Sequence, residues 1–224
     1  MKMLISLTLL GITTVLPGVS TKVHAQAPVS RTEQGNLRQY YNQGLQKLAQ
    51  GNFDGAVADF DRVVQLNPIN AEAYCLRGLA KAQLRDFQAA LVDYNQSLKL
   101  NPRHADAYNG RGMINAELGQ VNTAKKDFEQ SIKVDPKYVD GYYNLGLINY
   151  REGDHNQAIS QFNLALNINP KLADAYGNRG LAQYALGNKS SAVADLQKAA
   201  DLFQQQGNVQ AYQQTQVLLQ RVQQ

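Results

Sequence analysis

Residues 105–138 read ADAYNGRGMINAELGQVNTAKKDFEQSIKVDPKY, and the reading of this stretch decides the fold. From Ala105 to Leu118 apolar residues recur at helical spacing, Gly119–Gln120 breaks the pattern, and a second helical pattern runs from Thr123 to Val134. A glycine directly after the first helix suits a left-handed C-terminal cap. Asp135–Pro136 closes the second helix, because proline cannot continue it and restrains the residue before it. Gly112 and Ala124 are small where the two helices should touch, and Tyr108 and Phe128 fill the seam around them. The expected unit is a pair of antiparallel helices. One such hairpin cannot cover its own apolar face, so it requires stacked neighbours.

The neighbours are present at a period of 34 residues. Asn67–Pro68, Asn101–Pro102, Asp135–Pro136 and Asn169–Pro170 recur at that interval. So do Tyr40, Tyr74, Tyr108, Tyr142 and Tyr176, and Gly44, Gly78, Gly112, Gly146 and Gly180. Gly51, Gly119, Gly153 and Gly187 form a further column, broken only by Arg85. Ala56, Ala90, Ala124, Ala158 and Ala192 form another, and Phe60, Tyr94, Phe128, Phe162 and Leu196 a fifth. The units are 37–70, 71–104, 105–138, 139–172 and 173–206.

A 34-residue helix–turn–helix with this order of aromatic, Gly, Ala, aromatic and Pro resembles the tetratricopeptide repeat. The resemblance implies an all-α fold, a right-handed superhelical solenoid of antiparallel helix pairs. There are departures. The first aromatic is Tyr in every unit, and the family's Tyr midway along the first helix is replaced by Lys47, Lys81, Asn115, Asn149 and Gln183. The fifth unit lacks its closing Pro, with Phe203–Gln204 in that place, so its second helix is expected to run on to Gln206. Gly207–Asn208 then introduces a last helix, Val209 to Val222, with Tyr212, Val217, Leu218 and Val222 on one side and glutamines elsewhere. Residues 207–224 read as the polar-backed capping helix that a solenoid end requires. Arg77, Arg111 and Arg179 share a column, and Asp93, Asp127 and Asp195 lie sixteen residues on in the facing helix. In the fourth unit Leu145 and Gln161 replace both members, whereas the first unit keeps Asp59 opposite Gln43. The correlation predicts an Arg–Asp bridge between the helices of a unit, with a structural role.

The chain has 224 residues, one Cys, no Trp, 44% hydrophobic and 18% charged residues, a composition outside the disordered class. One Cys excludes an intrachain disulfide framework and a multi-Cys zinc site. Met1–Lys2–Met3 precedes a mainly apolar run from Leu4 to Val19, and Val23–His24–Ala25 offers small residues where a signal peptidase inspects. Residues 1–25 therefore read as a secretory signal cleaved after Ala25, and 26–36 as a disordered lead-in. The run is too short and polar to span a bilayer comfortably, so no membrane span is expected after cleavage. The net charge of +4 includes Lys2 and Lys22; without them 20 Lys and Arg face 18 Asp and Glu. A near-neutral chain with scattered lysines makes no electrostatic case for nucleic acid.

No phosphate loop, nucleophile elbow or dinucleotide turn is present, and the histidines lie apart, so neither an enzyme, a metal nor a cofactor is expected. Cys75 reads as a small apolar residue. Tetratricopeptide proteins line their inner, concave surface with their first helices, which implies where a partner would bind. The implied columns are Leu45, Leu79, Met113, Leu147 and Leu181; the aromatics Tyr41, Tyr143, Tyr150 and Tyr184; Asn144 and Asn178; and the acids Glu72, Asp106, Asp140 and Asp174. The acids equally complement their helix dipoles, and neighbouring helices equally half-cover the leucines. The family's basic clamp for chaperone tails is missing: its positions hold Tyr41, Cys75, Asn109, Tyr143 and Gly177, or Arg38 followed by four acids. The expectation is a monomeric, exported scaffold or adaptor in the periplasm, extracellular space or thylakoid lumen. It would take a protein or peptide segment in the groove of 139–206. The alternative is a structural subunit of an envelope or secretion assembly, self-associating through its ends or convex face.

Overall fold

The computed structural model describes residues 31–224; the expected signal and residues 26–30 lie outside the described residues. Among the described residues there are eleven α-helices and no strand. They are α1 (Arg31–Ala49), α2 (Phe53–Leu66), α3 (Ala71–Gln83), α4 (Phe87–Leu100), α5 (Ala105–Glu117), α6 (Val121–Val134), α7 (Val139–Glu152), α8 (His155–Ile168), α9 (Ala173–Ala185), α10 (Lys189–Gln205) and α11 (Val209–Gln223). Short turns join consecutive helices, and from α1 to α5 and from α7 to α11 sequence neighbours are antiparallel packing partners. α1 begins six residues before the expected start of the first repeat, so residues 31–36 are helical rather than lead-in. Arg31, Glu33 and Gln34 are helix formers, and Leu37 just beyond the segment is held against the core of the first pair.

The turn chemistry explains the repeat's punctuation. Asn67, Asn101, Asp135 and Asn169 each accept, on the side-chain oxygen, a hydrogen bond from the backbone N–H two residues on. The bond passes over the intervening proline, which has no N–H to offer. Asn52, Asp86 and Asp154 cap the N-termini of α2, α4 and α8 through the amides of Gly55, Ala89 and Gln157. After the first helix of each pair the chain turns through the left-handed region, at Gly51, Gly119, Gly153 and Gly187. Arg85, the one break in that glycine column, is forced into the same conformation at φ 71°.

The chain forms two compact units, 31–127 and 128–224. In the first, Ala56, Phe60, Val63, Ala73 and Ala80 make one core, and Phe87, Ala90, Tyr94, Leu98 and Ile114 the next. A Cβ on Gly44 would lie 2.8 Å from the Phe60 ring, so the glycine column is what lets the two helices of a pair close on the aromatic column. In the second unit α10 packs between α9 and α11. α11 closes this end by burying Leu218, Leu219 and Val222 against Ala192 and Leu196. Val217, expected on that face, is exposed and Leu219 takes its place. Residues 215, 218, 219 and 222 share one helical face, and 217 falls outside it. α10 ends at Gln205 and Gly207 turns at φ 71°, as the missing proline implied.

Candidate functional site

Two arrangements of polar side chains stand out, one inside the repeats and one on the face of the first helices. Inside, each predicted bridge is formed and is larger than expected. Arg77 donates from Nε and Nη2 to Asp93 at 2.8 and 2.5 Å, Arg111 pairs with Asp127 at 2.6 Å, and Arg179 with Asp195 at 2.6 Å. Each third guanidinium nitrogen turns to the preceding repeat, to Asp61 (2.7 Å), Asn95 (2.6 Å) and Asn163 (2.6 Å). Each guanidinium also lies over the tyrosine one turn earlier, Tyr74, Tyr108 or Tyr176. Burial opposes the charge of Arg77, but Asp93 and Asp61 outweigh it and raise its pKa.

The polar residues that replace the family's mid-helix Tyr belong to the same network, a role the sequence reading missed. Lys81 (2.7 Å), Asn115 (3.0 Å) and Gln183 (3.1 Å) donate to the buried aspartate of their own repeat. Lys47 pairs with Asp59 at 2.6 Å, which explains why the first repeat keeps its acid without an arginine. The available signal was that every residue in that column can donate a hydrogen bond and stands four residues after the arginine column. In the fourth repeat Leu145 is buried, and the Gln161 amide oxygen has no partner among the described residues.

The second arrangement faces outward on α7 and α9, which touch each other. Helical spacing puts Asp140, Tyr143, Leu147 and Tyr150 on one face of α7, and Asp174, Gly177, Leu181 and Tyr184 on the matching face of α9. The structure sorts these candidates by exposure. Leu147 is only 9% exposed and acts as core. Leu181 is half-buried against the cluster of Leu218 and Leu219, whereas Tyr184 is 45% exposed. Tyr150 is half-buried beside the His155 ring, 5.2 Å between centroids.

Tyr143 is not a free aromatic. Its ring packs on Phe162 at 5.9 Å, and burial, with Asp174 nearby, raises its hydroxyl pKa. Asn178 Nδ2 donates to that hydroxyl at 3.1 Å and to the Asp174 carbonyl at 2.9 Å. The carbonyl fixes which way the amide points, so both N–H groups of Asn178 are committed within the protein. Asn144 is buried as well. Asp140 and Asp174 are exposed, and partial loss of hydration raises the Asp174 pKa.

In the first unit Asp106 belongs to a different group. The buried His104 ring has Nε2 2.9 Å from Glu72 and Nδ1 3.9 Å from Asp106. The hydrogen bond from His104 lowers the Glu72 pKa against the opposing effect of burial. The two carboxylates address opposite ring nitrogens and so do not converge on one point. Among the described residues no three His, Cys, Asp or Glu side chains gather as metal ligands, and no helix is long and apolar enough to cross a membrane. Cys75 is buried, which pushes its thiol pKa up and disfavours the reactive thiolate.

Comparison with known proteins agrees with this geometry. Models described as tetratricopeptide repeat or TPR repeat match residues 41–97, 76–142, 128–160, 148–187 and 173–206, together covering 41 to 206 without a gap. No curated protein matches the chain. Among solved structures, the chain is similar to the crystal structure of MamA at 27% identity and TM-score 0.62, over 74% of this chain and 96% of that one. It shares its fold with YrrB, described as a TPR protein with an unusual peptide-binding site, at 19% identity and TM-score 0.59, over 83% and 98%. It also shares it with yeast Tom70, at 16% identity and TM-score 0.71, over 85% of this chain and 40% of that one. The chain belongs to the tetratricopeptide repeat family.

Proposed function

We propose that this protein is an exported protein–protein interaction scaffold that takes a peptide segment of its partner along the joined faces of α7 and α9. One observation carries the reading. Tyr184, Leu181 and Tyr150 leave aromatic and apolar area on adjoining first helices, flanked by Asp140 and Asp174. Aromatic and aliphatic anchors beside a polar rim are what a peptide groove needs, and contiguous apolar area of this kind seldom goes unused. The segment is extended or helical, with apolar anchors and basic flanks. Asn178 supports the groove by holding Tyr143 in place.

The test is titration of candidate peptides against a Leu181→Ser/Tyr184→Ala variant. Tyr143 is left intact, since its loss would disturb the Asn178 and Phe162 contacts. Affinity is expected to fall at least about ten-fold with helicity unchanged; equal affinity refutes the site. Export is tested separately by the mass of the mature chain, which should begin at Gln26. The second reading, a self-associating assembly subunit, draws on Val209 and Val217 exposed on α11. A monomer in sedimentation decides for the scaffold.

A further inference from the structure

Gly177 sits in the interior of α9, where glycine costs helix stability relative to alanine. Its packing does not require it. A Cβ built there would meet only the Ala199 Cβ, at 3.9 Å, an ordinary contact, and its φ is not in the left-handed region. Gly44 and Gly146 on other first helices behave differently: a Cβ there would run into the Phe60 ring at 2.8 Å and the Phe162 ring at 2.5 Å. The repeat equivalent on α7 is Tyr143, so where one repeat carries a phenol ring the next leaves an opening.

Oxygen atoms border the opening. Asp174 lies one turn before Gly177 on the same face, and no cationic side chain among the described residues pairs with it. Asn178, only 5% exposed, commits both N–H groups to Tyr143 and the Asp174 carbonyl, and among the described residues no donor to its Oδ1 is seen. The Tyr143 oxygen already accepts one bond. Asp140 and Arg151 are the other charges acting on Tyr143, so acid exceeds base around this point.

We propose that the opening at Gly177 is a side-chain notch that receives a lysine or arginine of the bound segment. The cationic head lies against Asp174 and donates a hydrogen bond to the Asn178 Oδ1, and the aliphatic stem runs over Gly177 toward Leu181. This rests on the peptide-groove reading and adds the chemical class of residue that the groove selects. A carboxylate and an amide oxygen favour a donor-rich cation, and a glycine surface admits its stem without a clash.

The test uses acetylated heptapeptides in a serine background, with two leucines flanking a central lysine, arginine, norleucine or glutamate. Binding to the protein is followed by fluorescence anisotropy and by shifts of backbone amide resonances in α7 and α9. The lysine or arginine peptide is expected to bind about ten-fold tighter than the norleucine peptide, and the glutamate peptide most weakly. Gly177→Ala should abolish that preference while raising Tm by about 2–4 °C, because alanine is the better helix residue. Asp174→Asn should reduce the preference without the gain in Tm. If the preference survives Gly177→Ala, or norleucine binds as well as lysine, the notch is overturned and the groove stands. If no peptide shifts any resonance of α7 or α9, the groove falls with it.

Discussion

Asp93 is 1% exposed and receives Arg77 through two nitrogens and Lys81 through a third. Asp93→Ala leaves Arg77 with Asp61 alone, and strands Lys81 against a wall built for an anion. Breaking a buried pair by removing one partner costs about 3–5 kcal/mol, because the remaining charge stays desolvated. Folded domains are stable by only about 5–15 kcal/mol, so this one change should remove a large share of the total. The fourth repeat contains its own control, with Leu145, Asn149 and Gln161 at the equivalent positions. Transplanting that solution as Arg77→Leu/Lys81→Asn/Asp93→Gln removes the charges together. It forfeits the partly exposed Arg77–Asp61 pair, worth at most about 1 kcal/mol. The triple variant should therefore lose less than about 2 kcal/mol despite its larger number of changes. Urea denaturation followed by far-ultraviolet circular dichroism measures both. A triple variant as unstable as Asp93→Ala, or a single variant losing under about 1 kcal/mol, would refute the reasoning.

Arg85→Gly should raise stability by about 0.5–1 kcal/mol in thermal melts, since only glycine occupies φ 71° without steric cost; an unchanged or lower Tm contradicts this. Gly110→Ala would bring a Cβ to 2.6 Å from the Tyr94 hydroxyl and should cost about 1–3 kcal/mol. Phe60 and Phe162 coexist with the larger Leu76 and Asn178 at the equivalent position, so adding Tyr94→Phe should recover part of the loss; equal losses in both backgrounds would count against the contact. Glu72 has its pKa lowered by the His104 hydrogen bond, so this pair adds stability above the ordinary carboxylate value of 4.5 and loses it as pH falls toward the lower folded value. The stability difference between the protein and Glu72→Gln should accordingly hold from neutral pH down to the ordinary value of 4.5 and shrink below it; a difference that grows on acidification contradicts the sign.

Period and turn chemistry make the helix pairs readable in the sequence alone. The glycine at 119, the Asx–Pro pair at 135–136 and the Gly–aromatic seam are all local rules or same-register contacts. The Arg–Asp bridges were readable because both partners change together in the fourth repeat. Exposure was the harder quantity. Leu147 and Leu181 occupy one column, yet the first is core and the second is half-covered by the cluster that α10 and α11 form. Tyr143 read as groove aromatic from its column, and its burial depends on Phe162 and on Asn178 one repeat later. Val217 and Leu219 exchange roles for a similar reason: a glutamine-rich helix gives a weak period, and only packing on Leu196 and Ala192 selects the face. The polar partners of the buried aspartates escaped because a lysine or glutamine on a helix ordinarily reads as solvent-facing.

The most direct test of the account is the map of backbone amide shifts when the central-lysine peptide is titrated into the protein. The account predicts saturable changes centred on Asp174, Gly177, Asn178, Leu181 and Tyr184, with smaller ones at Tyr150. Saturable changes confined to α8, α10 or the first unit, with α7 and α9 silent, would contradict it.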